Sequence, residues 1–512
     1  MPSYLSPGVY VEEVSSGSRP IEGVGTAVAA FVGFAEKGPA NEPVLVTNWT
    51  QFTGVFGGFV EGSYLAHAVY GYFLNGGGSA YIVRIGGEDS TADTGAATAV
   101  AVATLPAVDG DRPALEVATR AGTEGDGLTV EVSAASDASD DNFKLVVKKD
   151  GTAVETYDNV SVRKGANNVM TAVRKSRLIT IRELKGSAAL VPKKNTEVAL
   201  AFPAVPVVSR EVGVDDYIGD SGDRTGFGGL EAIDDVTMLC VPDLMAARER
   251  GLIDDDGVKA VQQAMIAHCE LMSDRVAILD PPPGLKAQQM KAWRVDSAGY
   301  DSKYATLYWP WVKIVDPDSG KAIHVPPSGH MAGIWARNDD SRGVHKAPAN
   351  EIVRGAISLE LNITKGEHDQ LNPVGVNCIR SFPGQGIRVW GARTLSSDPE
   401  WRYLNVRRLF NFVEKSILQG TNWVVFEPND PKLWDSVKRT ITMFLSNVWR
   451  DGALFGRTAG ESFFVKCDEE NNPAESRDAG VLNVEIGLAP VKPAEFIVFR
   501  VSQYAEGAGL SE

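Results

Sequence analysis

Cysteine is scarce in this chain, with four residues among 512 and no pair spaced as C-x-x-C. The four are expected to be small, buried and reduced side chains: Cys240, Cys269, Cys378 and Cys467. Long apolar runs are also missing, because no stretch approaches the ~20 residues of a membrane span. The first residues lack the basic stretch and apolar core of a Sec-type signal. These absences predict a soluble protein that is made in the cytoplasm and is not inserted into a membrane.

Positive charge is in deficit. Lys and Arg number 50 against 66 Asp and Glu, so the formal net charge is −16 at pH 7. A surface that binds nucleic acid needs clustered positive charge. The composition therefore argues against a nucleic-acid partner, although one locally basic face stays open.

Motifs that carry chemistry are missing as well. His324 and His330 are six residues apart, which is poor spacing for a metal site. The stretch 316–320 resembles the start of a calcium loop but lacks the acid at its twelfth position. The glycines at 76–78 precede no Gly-Lys-Ser/Thr, and those at 384–386 precede a strand rather than a helix. We expect no catalytic residue, metal or cofactor, although an enzyme with scattered active-site residues stays open.

What the chain does contain is strand-forming sequence near both ends. The residues of 482–488 alternate between apolar and polar, which predicts a strand with one buried face. The runs 8–14 and 496–502 are rich in β-branched and aromatic residues, and a polar linker follows the first. An apolar strand at a terminus is an exposed edge. Either both runs complete a sheet of their own chain, or they are exchanged between copies of the protein.

Between these ends, 512 residues are too many for one core and predict two to four domains. Strands at 27–34, 236–241, 275–279 and 304–315 alternate with helices at 64–74 and 254–272. This order predicts an α/β sheet with helical crossovers. Residues 86–209 differ, because short alternating runs flank an Asp-Gly hairpin signal and predict a separate β domain.

The C-terminal third contains the strongest helix pattern. A helix led by Asp398-Pro399 is predicted to end at Gly420, followed by a strand over 423–426. Asn429-Asp430-Pro431 is a strong start for a second helix. One face of that helix is apolar. Four basic residues lie mostly off this face: Lys432, Lys438, Arg439 and Arg450.

Four segments of the sequence resemble contractile tail sheath proteins of phages and bacterial injection systems. The most specific is PPSGHMAGIWARNDDSRGVHKAPAN at 326–350. SPGVYVEEV at 6–14 is similar to the N-terminal arm of the family, and PAEFIVFRVSQ at 493–503 to its C-terminal arm. NPVGVNCIRSFPGQGIRVWGARTLSSDPEWRYLNVRR at 372–408 is similar to the core of its C-terminal domain. The resemblance covers most of the chain outside 86–209.

The resemblance implies an α/β (α+β) multidomain fold, in which mixed sheets with flanking helices carry an inserted all-β outer domain and extended strand arms. The implied domains are an N-terminal arm and linker at 1–22 and a central domain at 23–90 plus 210–325. An outer domain at 91–209, a core domain facing the inner tube at 326–490 and a C-terminal arm at 491–512 complete the chain.

The resemblance also implies a structural subunit, not an enzyme. Such subunits form hexameric rings stacked helically around an inner tube, with baseplate and terminal cap proteins as further partners. They are assembled in the bacterial cytoplasm as part of a phage tail or a contractile injection particle. Two alternatives stay open: the large sheath subunit of a type VI secretion-like system, which needs a small partner chain, and an α/β enzyme with a β accessory domain.

By this resemblance, arms of neighbouring copies add strands to the sheet of a third copy. The donated N-terminal strand is expected at Gly8, Val9, Tyr10, Val11, Glu12, Glu13 and Val14. The donated C-terminal strand is expected at Phe496, Ile497, Val498, Phe499, Arg500, Val501 and Ser502. The receiving sheet is expected to include Leu482, Val484, Ile486 and Leu488. The basic residues of the second C-terminal helix are candidate contacts to the tube.

Overall fold

The computed structural model describes residues 20–86, 102–108, 113–120, 128–137, 139, 142–149, 151–163, 165, 167–183, 190–200 and 212–500. The expected N-terminal strand at 8–14 lies outside these residues, as do Val501 and Ser502. The described residues form two compact units, within 1–88 plus 207–512 and within 89–206. We call the first the body and the second the inserted unit.

The strands of the described residues form five sheets. In chain order they are β1 (Val28–Gly33), β2 (Val44–Val46), β3 (Ser79–Arg84), β4 (Val102–Pro106), β5 (Pro113–Thr119), β6 (Leu128–Ala134), β7 (Phe143–Lys149), β8 (Thr152–Val160), β9 (Ile179–Glu183), β10 (Thr196–Ala199), β11 (Met238–Cys240), β12 (Val276–Leu279), β13 (Ala305–Trp309), β14 (Val312–Val315), β15 (Ala322–Val325), β16 (Ala356–Leu359), β17 (Val376–Phe382), β18 (Gly386–Val389), β19 (Phe463–Lys466) and β20 (Glu485–Leu488).

The α-helices of the same residues are, in chain order, α1 (Trp49–Phe56), α2 (Leu65–Asn75), α3 (Val169–Val173), α4 (Val214–Ile218), α5 (Asp243–Glu249), α6 (Asp255–Met272), α7 (Ala287–Ala292), α8 (Ser328–Arg342), α9 (Lys365–Leu371), α10 (Leu404–Gly420), α11 (Pro431–Arg450), α12 (Ala459–Ser462) and α13 (Ala474–Asp478). A π-helical turn, Trp293–Ala298, continues α7. Short 3-10 turns occupy Gly228–Ala232, Asn372–Val374 and Asn422–Val424.

An eight-stranded sheet forms the centre of the body, in the order β18-β17-β13-β12-β11-β1-β3-β2. Its inner strands are parallel and its edge strands, β2 and β18, are antiparallel to their neighbours. Side chains of β1 alternate between two apolar clusters, one on each face of the sheet. Both faces are therefore buried, as the predicted α/β arrangement requires. The sheet includes β17 and β18, which lie within the range 326–490 that the resemblance assigns to the core domain.

Two helices on one face of this sheet approach each other unusually closely, because glycines of α8 lie against the backbone of α2. A Cβ atom at Gly329 would lie 2.3 Å from the Ala68 carbonyl oxygen, and one at Gly333 would lie 2.3 Å from that of Tyr72. Both glycines belong to the 326–350 segment that carries the family resemblance. The reason for glycine there is contact between helices rather than a turn or a ligand.

A fully buried carboxylate holds the start of α2 against the end of β1. Asp243, at the start of α5, accepts hydrogen bonds from the Phe34 amide (2.6 Å), the Ser63 hydroxyl (2.9 Å) and the amides of Tyr64 and Leu65. One side chain thus joins the end of β1 to the start of α2. Burial raises the pKa of Asp243 to about 6, despite these bonds, which favour its charged form.

The C-terminal helices pack on the rest of the body through a third apolar cluster and two buried ion pairs. Arg408 of α10 makes a bidentate contact with Asp339 of α8, at 2.5 and 2.9 Å, and its guanidinium lies over the Trp335 ring. Lys415 bonds Asp274 at 2.7 Å. These contacts fix α10, and α10 in turn supports α11.

The inserted unit is built from β strands, as predicted. One of its sheets has the order β10-β6-β7-β8 and the other β4-β5-β9. Apolar side chains of both sheets and of α3 form a single cluster. The predicted hairpin is present between β7 and β8, with Gly151 at a φ of 78°.

Most predicted elements of the body are confirmed, and four differ. The run 304–315 is two strands in different sheets, because Pro310 interrupts the ladder after Trp309. The predicted strand 423–426 is wrong, because successive turn bonds close the connection between α10 and α11 instead. α10 begins at Leu404, not at Asp398, because Arg402 and Leu404 first bond the backbone of 392–394.

The fourth difference concerns the predicted receiving strand, which is shorter than expected. The ladder of β20 covers Glu485–Leu488 only. The buried Asn472 side chain bonds both the amide of Asn483 (2.7 Å) and its carbonyl (2.9 Å). These bonds occupy the backbone of Asn483, so a further strand pair does not form there.

Candidate strand-exchange site

A two-stranded antiparallel sheet lies near the C-terminal end of the described chain. β19 pairs with β20 in a register that places Phe463 opposite Leu488 and Val465 opposite Ile486. These four side chains face the apolar cluster of α11. Of the predicted receiving residues, Ile486 and Leu488 lie in β20. Leu482 and Val484 precede β20 but pack on the same cluster.

The outer face of this sheet is apolar at one position. Phe464 is 54% exposed, and its ring lies over Gly487 of the opposite strand. A Cβ atom at Gly487 would come within 2.1 Å of the ring. With glycine at 487, the ring can lie flat on the opposite strand, and a larger residue would displace it.

Both long edges of the β19–β20 sheet lack a further strand within the described residues. A two-stranded sheet leaves a row of backbone N–H and C=O groups on each edge. Isolated two-stranded sheets are also marginally stable, and three or more strands are usually needed. The arrangement can therefore accept a strand on either side.

After β20 the chain stays attached to the body for several residues. The Phe455 amide donates to the carbonyl of Ala489 (2.7 Å), and the Val491 amide donates to that of Ala453 (3.2 Å). The side-chain amide of Asn405 donates to the Val491 carbonyl at 3.0 Å. The course of the chain as far as Val491 is thus set by hydrogen bonds to its backbone.

A single carboxylate fastens the last attached residue. Glu495 accepts two hydrogen bonds from Arg393 (2.9 and 2.7 Å), one from Asn372 (2.8 Å) and one from Tyr403 (3.1 Å). Burial opposes the charged form, but the bonds from Arg393, Asn372 and Tyr403 outweigh it and hold the pKa of Glu495 below its ordinary value. The carboxylate is thus charged at neutral pH and fixes the base of the C-terminal arm.

Directly beyond Glu495 the chain leaves the body. The next four side chains are exposed by 74%, 72%, 76% and 86%: Phe496, Ile497, Val498 and Phe499. Residues 491–500 form no strand with the described part of their own chain. The expected C-terminal strand therefore lies unpaired in the subunit as far as Arg500.

The four basic residues proposed as tube contacts lie on one helix, α11. Lys432, Lys438, Arg439 and Arg450 are all exposed. The opposite face of α11 is buried, as the apolar spacing predicted. The four charges therefore lie on the solvent-exposed face of α11. What they contact is taken up under the proposed function.

Sequence reasoning missed the residues that hold Glu495. Arg393, Asn372 and Tyr403 lie within the segment 372–408 that carried part of the resemblance, but no spacing connects them to a glutamate about a hundred residues away. The only local signal for this site is that Glu495 is a single acidic residue directly before the apolar run 496–499.

Neither a metal cluster nor a membrane-spanning helix is found in the parts of the chain that the structure covers. Within those ranges, no three His, Cys, Asp or Glu side chains come together as ligands for a metal ion. Among the helices of the same residues, none combines the length and apolar character that spanning a bilayer requires.

Comparison with known proteins identifies the family. The profile of the phage tail sheath protein central domain matches residues 213–395, and that of the phage tail sheath C-terminal domain matches residues 396–503. Together they cover more than half of the chain, which therefore belongs to the phage tail sheath protein family.

Individual relatives agree with this assignment. The chain is 26% identical to the tail sheath protein of Vibrio phage KVP40 over 250 residues, which are 46% of this chain and 36% of the relative. It is 24% identical to the tail sheath protein of Escherichia phage P2 over 295 residues, which are 56% of this chain and 70% of the relative. The matched part is thus only about a third of the KVP40 protein.

The fold is similar to that of a solved sheath. The sheath complex of PVC, an extracellular contractile injection system, in its contracted state has a TM-score of 0.57 and 23% identity. The likeness covers 99% of this chain and 99% of that one. It confirms the mixed α/β fold.

Proposed function

We propose that this chain is the structural subunit of a contractile sheath. Copies polymerise as hexameric rings stacked helically around an inner tube, and contraction of the polymer drives the tube through a target envelope. Family membership supports this role, and the likeness in fold to a sheath in its contracted state supports contraction in particular. The other partners are baseplate and terminal cap proteins of a phage tail or injection particle assembled in the cytoplasm.

The unpaired C-terminal arm is the observation that carries this proposal. Four large apolar side chains are exposed, and the β19–β20 sheet that precedes them has no further strand on either edge among the described residues. Such exposure is unfavourable in a subunit that stays alone, because burying each side chain stabilises by about 1.5–3 kcal/mol. A donated strand would add ~5 ladder bonds of ~0.5–1.5 kcal/mol each. The arm therefore belongs in the β19–β20 sheet of another copy, and the arm at 8–14 is its counterpart.

Strand exchange explains how subunits can move without separating. Glu495 fixes the base of the arm, and the arm beyond it is attached to a neighbour. The body can then rotate about the connection while both ends of the arm stay bonded. The free energy of contraction lies in contacts between bodies that improve in the shorter, wider polymer, so no nucleotide is required.

The proposal is tested by a proline in the arm. Val498→Pro removes one backbone donor and cannot continue a central strand. Because Val498 is 76% exposed in the subunit, the melting temperature of unassembled protein is expected to stay unchanged. Tubular polymers seen by negative-stain electron microscopy should be lost.

Val498→Thr is the matched control, since threonine retains the amide and the strand preference, and it should assemble. Wild-type-like polymers from the proline variant would reject strand donation by this arm. Polymers formed by the wild-type chain purified alone would also argue against the need for a small partner subunit.

The exposed basic face of α11 supports a second part of the proposal, contact with the tube. Lys432, Lys438, Arg439 and Arg450 point away from the apolar cluster that holds α11. In this proposal they meet acidic groups of the tube in the extended sheath and separate on contraction. Solvent-exposed pairs of this kind are weak individually, about 0–1 kcal/mol, so the contact can break without a large barrier.

A further inference from the structure

A groove of about 870 Å³ opens in the body beside the base of the C-terminal arm. Its walls come from the loop after α8, from α9, from the β17–β18 edge, from the start of α10 and from the arm base. The apolar part of the lining includes Trp390, Tyr403, Pro373 and Ala347. The groove is therefore large enough, and apolar enough, to receive side chains of a protein.

Several polar atoms on the groove wall have no hydrogen-bond partner among the described residues. They are His368 Nε2, Asn372 Oδ1, Arg380 Nε and Asn405 Oδ1. Asn405 is 1% exposed and His368 is 9% exposed. Buried polar atoms are almost always bonded in native proteins. Both donors and acceptors are unsatisfied, although the atoms themselves are buried beneath the groove surface.

The groove also has an excess of positive charge. Four cations on its wall have no ion pair within the described chain, whereas Arg393 and Lys346 pair with Glu495 and Glu351. Among the described residues, Asp369 is the lining acid that stays unpaired. The four cations are Arg342, Lys365, Arg380 and Lys492. The occupant should therefore be apolar and acidic.

A segment that is both apolar and acidic protrudes from the same body, at the turn between α10 and α11. Val425 is 64% exposed and Phe426 is 103% exposed, so the Phe426 ring packs on none of the described residues. Glu427 follows them and is exposed. We call these three residues the apolar tip. The turn 421–430 has two acids and no Lys or Arg.

The backbone of the tip is strained. Phe426 has a φ of 67°, a left-handed conformation that is rare for a bulky residue. Such strain persists when the surroundings require it and often marks a functional segment. Here the conformation directs an aromatic side chain into solvent, where a partner can receive it.

We propose that the apolar tip of one copy inserts into the groove of a neighbouring copy. Phe426 and Val425 contact the apolar lining, and Glu427 faces the unpaired cations. This inference rests on the proposed function, because it requires chains that polymerise. It adds a contact between bodies to that made by the exchanged arms, and the base of the C-terminal arm forms one wall of the groove.

The geometry of such a contact suits a helical polymer. The tip and the groove are different surfaces of one subunit, so the contact is heterologous, and each copy can give one tip and receive another. Heterologous contacts that do not close into a ring generate open helices. A tip seated in a groove also has two discrete states, occupied and empty.

A cysteine pair tests the contact. Phe426→Cys combined with Ala347→Cys should form a disulfide between copies when assembled polymers are oxidised. A ladder of covalent multimers is then expected on a non-reducing denaturing gel, and reductant should convert it to monomer. The four native cysteines are buried, so they do not contribute. Phe426→Cys with Leu271→Cys, an exposed position of α6 outside the groove, is the matched control and should give no ladder.

Other outcomes are equally informative. Normal polymers without a ladder would overturn the tip-in-groove contact and leave the sheath role intact. A ladder from Ala347→Cys paired with Val498→Cys or Tyr10→Cys, but not with Phe426→Cys, would assign the groove to an arm and overturn the contact. A wild-type chain that never polymerises would reject both proposals.

A second measurement covers the case in which the cysteine chain assembles poorly. Phe426→Ser should raise the critical concentration for polymer formation by about tenfold or more, because it removes a buried aromatic side chain from the contact. Phe426→Leu should stay close to wild type. Equal critical concentrations for the serine variant and the wild type would count against the contact.

Discussion

At the scale of single residues, the glycines of α8 show what the resemblance segment does. Gly329 and Gly333 are four positions apart on one face of α8, and each lies against a backbone carbonyl of α2. A motif that suggested family membership is thus explained by helix contact. No periodicity argument reveals this, because the neighbour is more than 250 residues away in sequence.

The first residue-scale prediction concerns this contact. Gly333→Ala places a Cβ 2.3 Å from the Tyr72 carbonyl oxygen and should lower the free energy of unfolding by about 1–3 kcal/mol, since the helices must move apart. Gly366→Ala in α9 is the matched control. Nothing lies within 4 Å of its Cβ, and the change should stabilise by up to about 1 kcal/mol. Denaturant unfolding of unassembled subunit measures both, and equal effects would contradict the explanation.

The second residue-scale prediction concerns Glu495 and pH. Its lowered pKa means that the carboxylate stabilises the arm base at every pH above its ordinary range, and that this stabilisation is lost as pH falls through the lowered value. Glu495→Gln should therefore make local opening at the Val491 amide easier by about 1 kcal/mol at neutral pH. The difference from wild type should vanish under acid conditions.

Hydrogen exchange in the assembly-deficient Val498→Pro background measures this opening. Glu469→Gln, at an exposed position in the loop after β19, serves as the control and should change nothing at any pH. If the effect of Glu495→Gln were the same at neutral and acid pH, the charge of Glu495 would not be what fastens the arm.

At the scale of elements, α11 has two faces with separate tasks. Its apolar face holds the β19–β20 sheet, and its outer face carries the basic residues. The spacing of Leu433, Val437, Ile441, Phe444 and Val448 predicted the buried face, because a 3.6-residue period requires no knowledge of the neighbour. What the outer face meets depends on another molecule.

The element-scale prediction tests that outer face. Lys438→Glu with Arg439→Glu should leave the free energy of unfolding within about 0.5 kcal/mol of wild type, because both side chains are exposed. Assembly templated by purified tube protein should weaken, and more so at low salt. Lys321→Glu, an exposed charge before β15, is the control. An equal loss with the control, or no loss with the double variant, would exclude a tube contact at this face.

At the scale of the whole molecule, the subunit is folded in its body and incomplete at its end. The eight-stranded sheet of the body is covered on both faces, whereas β19–β20 has no further strand on either edge among the described residues and residues 496–499 are exposed. A soluble protein usually protects such an edge. In the proposed polymer, strands of other copies complete this sheet.

The sequence by itself determined the elements whose signals are local. The helix that Asp254 caps is an example, since its Oδ1 accepts the Gly257 amide at 2.8 Å. The apolar face of α11 and the hairpin at Gly151 are others. In each case the hydrogen bond or periodicity lies within a few residues. The sequence also predicted the apolar character of residues 496–499, and it raised the question of which surface covers these side chains.

Only the tertiary structure decided the rest. The division of 304–315 between two sheets, the turn at 423–426, the site of Glu495 and the groove all depend on residues far apart in the chain. A strand needs a partner strand, and a buried carboxylate needs donors from other elements. Those partners become neighbours only when the chain folds, which is why local pattern could not supply them.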